Sequence, residues 1–526
     1  MIHIKFKNFF YLLAIAYPII IALILSNHNE IKLFIICGIK IKMHCDSMNA
    51  LIAKALAVVT IVANCYSISQ SQLRTIIIGG CYFIAALICL YADDFISFFV
   101  ALEAMMLAAC ALIYIGYSAK SKLLAVRAYF IIHLISGTMI FVAINYLIVT
   151  TGSSDIVSTN WLLLSNNSCD VTIGAILLIG CLMNAAAVPF SYWIINCYPS
   201  ADNASFIYLM TFGTKLSVII LAKLFYGIAI LEYCGFFMII YGGFYACKED
   251  NIKRLLCFLS IAQTGLMLII ISISNTLHPQ ELVIRTYIAN HIIYNALLTA
   301  LAIILENNAN ISTCSNLKRI KNPLWVTAIS GTVLVALNVP FTTGFLLKHA
   351  ILLTATVEHH IIYQYIFILF NIISFISLPI KEYFSSKEVF PMYISNFQIL
   401  GIIIPISALI FINIHVIQTY YAIIPFINNV VEQLVIIAIS LALSLVIKVR
   451  RQSVKLISIK LSKLIFDKIN KYYADYGNKN NNLDIIDLKY FIMSYLRTLS
   501  AMHSQQTAIA VVFCLLITII ISNSCF

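Results

Sequence analysis

Four ionisable side chains lie inside long apolar stretches of the 526-residue sequence, namely Glu103, Lys215, His291 and Lys348. A charged side chain at the centre of a bilayer costs about 2.5–3.5 kcal/mol on insertion scales, so such residues are rare and mostly functional. Carboxyl, amine and imidazole groups can each bind and release a proton. The set therefore predicts a path for protons or monovalent cations near the middle of a membrane.

Glu103 lies nine residues after Asp94 in the stretch DDFISFFVALEAMMLAACALIYIG, which places it about 13 Å deeper along a helix. The alternative is a lone carboxyl group that burial neutralises. A carboxylate at this depth is more often part of a proton or cation path.

Lys215 shares a helical stripe with Tyr208 and Thr211, and we expect this polar stripe to face other helices. The alternative is a lysine whose ammonium reaches the membrane surface. Lys223, nearer the end of the same apolar stretch, is better placed to do that.

His291 belongs to a row of polar residues spaced by four, together with Tyr287, Asn295 and Thr299. That spacing puts them on one helix face and predicts a hydrated seam. A hydrogen-bonded core histidine is the alternative. A weaker row of the same kind contains His133, for which we favour the structural interpretation.

Two prolines interrupt apolar stretches: Pro189 in CLMNAAAVPFSYW, and Pro340 in LNVPFTTGF, where Gly344 comes shortly before Lys348. Proline lacks a backbone donor, and a broken helix at membrane depth is tolerated where it lines a cavity or protein interior. Val-Pro-Phe occurs at both places. Matching breaks in two halves indicate a transporter built from repeats, with its site near the midplane.

The composition requires a polytopic membrane protein, because 62% of the residues are apolar and 10% are charged. About fourteen to sixteen stretches are long enough to cross a bilayer as helices. The clearest lie near residues 9–26, 48–68, 73–91, 94–117, 124–150, 171–190, 204–226, 231–247, 254–274, 282–305, 323–347, 361–380, 397–416, 430–447 and 507–523. Residues 31–44 are a weak extra candidate. We interpret the first stretch as a retained span and not as a signal peptide.

The net charge of +12 does not indicate nucleic acid here, because the basic residues cluster in loops between spans. Such loops lie on the cytoplasmic side of a membrane. They are residues 118–127, 248–254, 318–321 and 381–387. The loop 151–170, which has no Lys or Arg, falls on the other side, and Lys40 and Lys42 do not fit the pattern.

The fifteen cysteines are scattered mostly inside spans and form no C-x-x-C pair or Cys/His cluster. No glycine-rich phosphate loop or nucleophile elbow is present. We therefore expect no metal, no cofactor and no enzyme chemistry of the soluble kind.

Taken together, these segments resemble the antiporter-like subunits shared by multisubunit monovalent cation/proton antiporters and the membrane arm of respiratory complex I. The resemblance covers about residues 48–380 and rests on five motifs in order: the span from Asp94 to Glu103, NAAAVPFSYW with CYPSADNASFIYLMTFGTK, EDNIKRLLCFLSIAQTG, HIIYNALLT and VPFTTGFLLK. The stretches AYFIIHLISGTMIFVAINYLIVTTGSSDI and YPSADNASF are closest to the D-type member of the antiporter subunits. A complex I antiporter-like subunit is the alternative.

The resemblance implies an all-α polytopic fold with about fourteen core transmembrane helices in two inverted five-helix repeats, each with a broken helix, plus extra C-terminal helices. Glu103 would be the carboxylate of the first half-channel, and Lys215 would hand protons to the centre. His291 would be the central relay group and Lys348 the terminal lysine. The partners would be protons, monovalent cations such as Na⁺, the lipid bilayer, and other subunits of an antiporter or respiratory complex in a bacterial inner membrane.

The sequence departs from the family pattern at three positions. Asn184 stands where a lysine pairs with the glutamate, Asn295 replaces the lysine of H-x-x-x-K, and Ser191 replaces a histidine. An amide can orient water but does not bind and release a proton near neutral pH. A structural subunit with a decayed relay is therefore a further hypothesis.

We divide the chain into six segments. These are N-terminal transmembrane helices (1–93), a first half-channel (94–230), a second half-channel (231–395), C-terminal transmembrane helices (396–447), a cytoplasmic basic amphipathic segment (448–505) and a final transmembrane helix (506–526). Residues 448–471 are predicted to lie as a basic amphipathic helix on the membrane surface or against a neighbouring subunit.

Overall fold

The computed structural model describes most of the first 319 residues and part of the remaining chain. The described ranges are 2–26, 31–36, 39–45, 47–115, 119–273, 278–319 and 394–420, with short pieces at 345, 365–366, 368–374, 434–435, 437–439 and 442. Pro340, Gly344, Lys348 and the segment 448–526 lie outside these residues.

Thirteen helices and one hairpin make up the described elements. They are α1 (Ile2–Ser26), β1 (Ile31–Ile36), β2 (Ile39–His44), α2 (Ser47–Ser69), α3 (Leu73–Tyr91), α4 (Phe95–Tyr114), α5 (Ala119–Thr151), α6 (Asn160–Leu164), α7 (Ser168–Asn184), α8 (Tyr192–Asn196), α9 (Asn203–Leu224), α10 (Ala229–Lys248), α11 (Ile252–Ile273), α12 (His278–Ala309) and α13 (Asn396–Tyr420). Short 3-10 turns come after α8 and α12 at Tyr198–Ser200 and Cys314–Arg319.

Within the described residues, nine helices are long and apolar enough to cross a bilayer. A helix pairs its own backbone groups internally, as lipid requires. The all-α polytopic fold predicted from the apolar stretches is thereby confirmed. Helices α9, α11 and α12 are almost entirely buried by their neighbours, which places them at the centre of the described bundle.

The candidate span at 31–44 was wrong, because this stretch forms an antiparallel hairpin. Its two strands pair from Ile31 with His44 to Ile36 with Ile39. The second strand reads IKIKMH, and its alternation of apolar and polar residues is typical of a strand. Fourteen residues are also too few for a helix that crosses the hydrocarbon core.

The hairpin explains why Lys42 does not follow the charge pattern of the other loops. Its ammonium lies 3.0 Å from the carboxylate of Asp93 and 2.8 Å from that of Asp155. Its backbone N–H donates to Ser97 Oγ at 2.8 Å, on the first turn of α4. The positive charge is therefore balanced locally, on the membrane side where α3 ends and α4 begins.

The DNIKR sequence before α11 anchors that helix at the opposite side of the membrane. Asn251 Oδ1 accepts a hydrogen bond from the backbone N–H of Arg254 at 3.0 Å, in the manner of a helix cap. The Asp250 carboxylate accepts from the backbone and side chain of Ser315, just beyond α12. These bonds hold the start of α11 against the end of α12.

Candidate proton and cation path

Helix α4 carries Glu103, and Asp94 determines where that helix begins. The Asp94 carboxylate accepts hydrogen bonds from the backbone N–H groups of Ile96 (2.9 Å) and Ser97 (2.8 Å), which would otherwise lack partners at the helix start. Glu103 lies further along α4 and is half-buried. Its Oε1 packs directly onto Gly137 of α5, where a Cβ atom would collide with it.

Helix α7 ends in a capped turn a few residues before Pro189. Its last residue is Asn184, and the backbone N–H groups of Ala186 and Ala187 bond back to the carbonyls of Met183 (3.2 Å) and Leu182 (2.9 Å). This is a Schellman cap, with Ala186 in the left-handed conformation at φ 57°. Pro189 comes after a cis peptide bond in the connection, and the chain becomes helical again in α8.

Asn184 lies against a residue that the sequence did not single out for function. Its Oδ1 is 2.6 Å from Nδ1 of His133, and both side chains are buried. Helices α5 and α7 come close because Ser136 Oγ donates to the carbonyl of Gly180 at 2.9 Å. A Cβ atom on Gly180 would lie 2.9 Å from Ile140 Cγ1, so a larger residue would push the helices apart.

A cavity joins Glu103, His133 and Asn184. The cavity volume is about 20 Å³, enough for about one water molecule. Its other lining residues are Tyr82, Leu102, Met105, Met106, Tyr129, Gly213, Leu216 and Ser217. The Glu103 carboxyl therefore lines a shared space with an imidazole and an amide.

A second, smaller cavity of about 10 Å³ continues from the first. Both are lined by Asn184, Leu102, Leu216 and Ser217, while Cys89, Phe98, Ile140, Cys181 and Ile220 line the second one alone. Asn184 thus lines both of two neighbouring cavities.

Lys215 of α9 is completely buried. Its Nζ donates to the carbonyl of Met210 (2.9 Å), to Thr214 Oγ1 (2.9 Å) and to Ser260 Oγ (2.8 Å). These three acceptors match the three donors of an ammonium group. No acidic side chain within the described ranges forms an ion pair with it.

His291 of α12 bonds to the same face of α11 as Lys215. Its Nε2 is 2.8 Å from Oε1 of Gln263, which lies three residues after Ser260 on α11. One helix therefore supplies a polar partner to each of the two titratable groups. Nδ1 of His291 and Nδ2 of Asn295, one turn further along α12, are both buried and have no hydrogen-bond partner among the described residues.

The structure brings the candidate residues together in two groups. Glu103 and Asn184 line one cavity with His133, and Lys215 and His291 bond to Ser260 and Gln263, which are three residues apart on α11. Leu216 and Ser217, the residues directly after Lys215 on α9, line the first cavity and so lie between the groups. Sequence reasoning missed Ser260, Gln263 and the pairing of His133. The polar row through His133 was the available signal for that pairing.

The sequence and fold both match known proteins. Residues 92–377, more than half of the chain, match the family described as NADH:quinone oxidoreductase/Mrp antiporter, transmembrane. NADH-quinone oxidoreductase subunit N of Anaplasma phagocytophilum is 22% identical over 282 residues, which are 51% of this chain and 60% of that protein. The chain thus spans about three fifths of the length of this curated relative.

Two solved structures share the fold. A chain of the Mrp complex from Dietzia sp. DQ12-45-1b superposes with a TM-score of 0.61 at 17% identity, over 75% of this chain and 76% of that one. A chain of the membrane-bound sulfane sulfur reductase, an archaeal respiratory membrane complex, gives a TM-score of 0.66 at 16% identity, over 83% of this chain and 93% of that one. On the extent of the family match, this chain belongs to the NADH:quinone oxidoreductase/Mrp antiporter family of polytopic membrane proteins.

Proposed function

We propose that this chain is a proton-translocating membrane subunit of a multisubunit monovalent cation (Na⁺)/proton antiporter, of the D type. Residues 94–230 and 231–395 form its two half-channels, and Glu103, Lys215, His291 and Lys348 carry the protons. The chain is an ion transporter subunit and has no enzyme chemistry of its own. It works in a bacterial inner membrane together with the other subunits of the antiporter.

One observation carries this proposal: a fully buried lysine and a buried histidine bond to two polar side chains, Ser260 and Gln263, on one face of α11. Burying an ammonium group costs several kcal/mol unless its donors are satisfied, and an apolar residue of similar size would be cheaper at this place. The three acceptors around Lys215 Nζ hold the charged form in place. Two of them are hydroxyl groups, which can donate as well as accept. They can therefore rotate to donate to Lys215 when it loses its proton.

The first half-channel is tested in everted membrane vesicles that contain the assembled complex. We expect Glu103→Gln to abolish the pH change that a Na⁺ gradient drives, because the amide cannot carry a proton. Glu232→Gln, in the first turn of α10, is the matched control and should transport like the wild type. An active complex in which Glu103→Gln changes nothing excludes this carboxyl from the path.

A respiratory role is the second candidate, because the bacterial relative described above is a subunit of NADH-quinone oxidoreductase. In that role the same relay would be driven by a redox reaction in partner subunits. Purification of the native complex decides between the two. Quinone-reducing partners with flavin and iron–sulfur centres favour the respiratory role, and antiporter subunits without them favour cation exchange.

A structural, non-conducting subunit is the third candidate, and Asn184 and Asn295 favour it. Both amides occupy places where the family keeps a lysine. If the relay has decayed, Asn184→Lys with Asn295→Lys should create or raise proton flux in the assembled complex. Wild-type flux that already depends on Lys215, together with no gain in the double variant, excludes this role.

A further inference from the structure

We propose that His133 is the proton-binding partner of Glu103 in this chain and takes the role of a lysine, because position 184 carries an asparagine. This inference rests on the proposed function, because it concerns the first half-channel of the same path. It starts from one contact: the amide at position 184 holds the imidazole of His133, and both line the cavity that Glu103 lines. The titratable partner of Glu103 thus lies on α5 and not on α7, in the same cavity.

The contact with Asn184 determines which nitrogen of His133 can take up a proton. The amide oxygen Oδ1 only accepts, so Nδ1 of the neutral ring carries the hydrogen that it donates at 2.6 Å. Nε2 then holds the free lone pair. It is buried and has no hydrogen-bond partner among the described residues. Nε2 is therefore the atom at which this ring gains and loses charge.

Three features of the site favour a positively charged ring and offset part of the cost of burial. Helix α7 ends at Asn184, and the C-terminal end of a helix carries partial negative charge. The ring centroids of Tyr129 and Trp193 lie 4.1 Å and 4.7 Å from that of His133, within the distance at which an aromatic ring attracts a cation. Trp193 is held in place by its own hydrogen bond, from Nε1 to the carbonyl of Met183 at 3.1 Å.

The other titratable groups around His133 are of types that stay neutral near pH 7. They are the phenols of Tyr82, Tyr129 and Tyr198 and the thiols of Cys110, Cys181 and Cys197, from α3, α4, α5, α7 and the residues directly after α8. From α4, Glu103 contributes a carboxyl group. From α9, Lys215 directs its ammonium away from this cavity, to Ser260 on α11. Glu103 and His133 are thus the pair that can exchange a proton here.

The exchange balances without any further reagent. A proton on the Glu103 carboxyl passes, through the space that the cavity provides, to the lone pair of Nε2. It leaves a carboxylate and an imidazolium in the same cavity. This is the charge pair that a glutamate and a lysine would form. Release of that proton toward α9 returns His133 to the neutral form.

The test compares proton flux in proteoliposomes that contain the whole complex, across a range of pH. We expect His133→Gln to lower the flux about a hundredfold or more, as for the loss of a group that acts as acid and base, and to remove one limb of the pH profile. His133→Gln combined with Asn184→Lys should recover most of the flux, because a titratable group returns to the same cavity. His44→Gln, at an exposed histidine of β2, is the matched control.

Each outcome decides the inference. Loss in His133→Gln with recovery in the double variant supports it. If Glu103→Gln is inactive while His133→Gln keeps the wild-type rate and pH profile, this inference is overturned and the proposed function stands. Loss that lysine does not restore, with an unchanged pH profile in an assembled complex, assigns His133 a structural role and also overturns it. If Glu103→Gln, Lys215→Gln and His133→Gln all transport normally, the proposed function itself fails.

Discussion

Lys215 Nζ donates to Ser260 Oγ at 2.8 Å, which joins the centre of α9 to the centre of α11. Three residues further along α11, Gln263 Oε1 accepts a hydrogen bond from His291 Nε2 at 2.8 Å. In the proposed relay, Ser260 is the α11 side chain that would receive a proton from Lys215. Its hydroxyl can both accept and donate, as a relay position requires.

Ser260→Ala should slow proton flux without preventing assembly. A hydrogen bond to a charged group contributes about 1.5–3 kcal/mol, so loss of one of the three acceptors of Lys215 predicts a decrease of about tenfold to a hundredfold. Ser272→Ala on the same helix is the control, because its hydroxyl bonds only locally, to the carbonyl of Ile269 at 2.7 Å. Flux in proteoliposomes is the measurement. Equal rates in the two variants would contradict a relay through Ser260.

Gly137→Ala should displace the carboxyl of Glu103. The new methyl group would occupy the position of Oε1, so the carboxylate must turn away from the cavity or α4 and α5 must separate. We expect Na⁺-driven proton exchange to fall severalfold, to a level between wild type and Glu103→Gln. In Gly80→Ala the added methyl meets the Tyr17 hydroxyl at 3.1 Å, so transport should change little. Wild-type exchange in Gly137→Ala would show that the position of Glu103 is not critical.

Ala186→Gly should stabilise the protein. Ala186 has a left-handed backbone at φ 57°, which costs an L-residue about 1–2 kcal/mol and glycine almost nothing. Because glycine also gains freedom in the unfolded chain, we expect a net gain of about 1 kcal/mol or less. The thermal midpoint of the purified complex should rise in Ala186→Gly and fall in Ala185→Gly, where φ is −79°. A lower midpoint in both variants would contradict the capping assignment.

The ion pair at Lys42 predicts a small, pH-dependent contribution to stability. Hydrogen bonds to Asp155 and Asp93 raise the pKa of Lys42, and the hydrogen bond from Lys42 lowers the pKa of Asp155 below its ordinary value of 3.8. A lowered carboxyl pKa stabilises the fold above the ordinary value, and this contribution is lost as the pH falls through the lowered one. The raised pKa of Lys42 contributes stability at pH values below the ordinary lysine pKa of 10.5, and this contribution is lost only at higher pH.

Thermal unfolding of Lys42→Met against wild type measures this contribution. We expect a lower midpoint for the variant at pH 7 and a difference that shrinks in high salt because the pair is exposed. The difference should begin to shrink only below about pH 4 and vanish once the pH has fallen below the lowered pKa of Asp155. Arg74→Met, at an exposed position where α3 begins, should show no such pH dependence. A difference that persists unchanged in acid would assign the effect to packing of the lysine stem.

Much of the fold could be predicted from the sequence because lipid imposes a length and a composition on every crossing helix. The stretch 73–91 coincides with α3, and 204–226 nearly coincides with α9. The hairpin at 31–44 was predicted wrongly because overall hydropathy was given more weight than the strict alternation in IKIKMH. The period of the hydrophobic pattern, and not the mean hydropathy, distinguishes a short strand from a helix.

The site was harder to predict, because its contacts join residues far apart in the sequence. Glu103 and Lys215 stood out as charges in apolar stretches, but nothing local indicates that His133 meets Asn184, 51 residues away. That contact depends on how closely α5 and α7 approach at Gly180. The contact of Ser260 with Lys215 likewise depends on the packing of α11 against α9.

The central claim is that Lys215 carries protons, and proton flux through the reconstituted complex tests it most directly. Lys215→Gln keeps a hydrogen-bonding side chain of similar length but cannot bind a proton, and Lys223→Gln, in the last turn of the same helix, is the matched control. We predict that flux in Lys215→Gln falls to the level of protein-free liposomes while Lys223→Gln retains most of the wild-type rate. Wild-type flux in an assembled complex with Lys215→Gln would contradict the account.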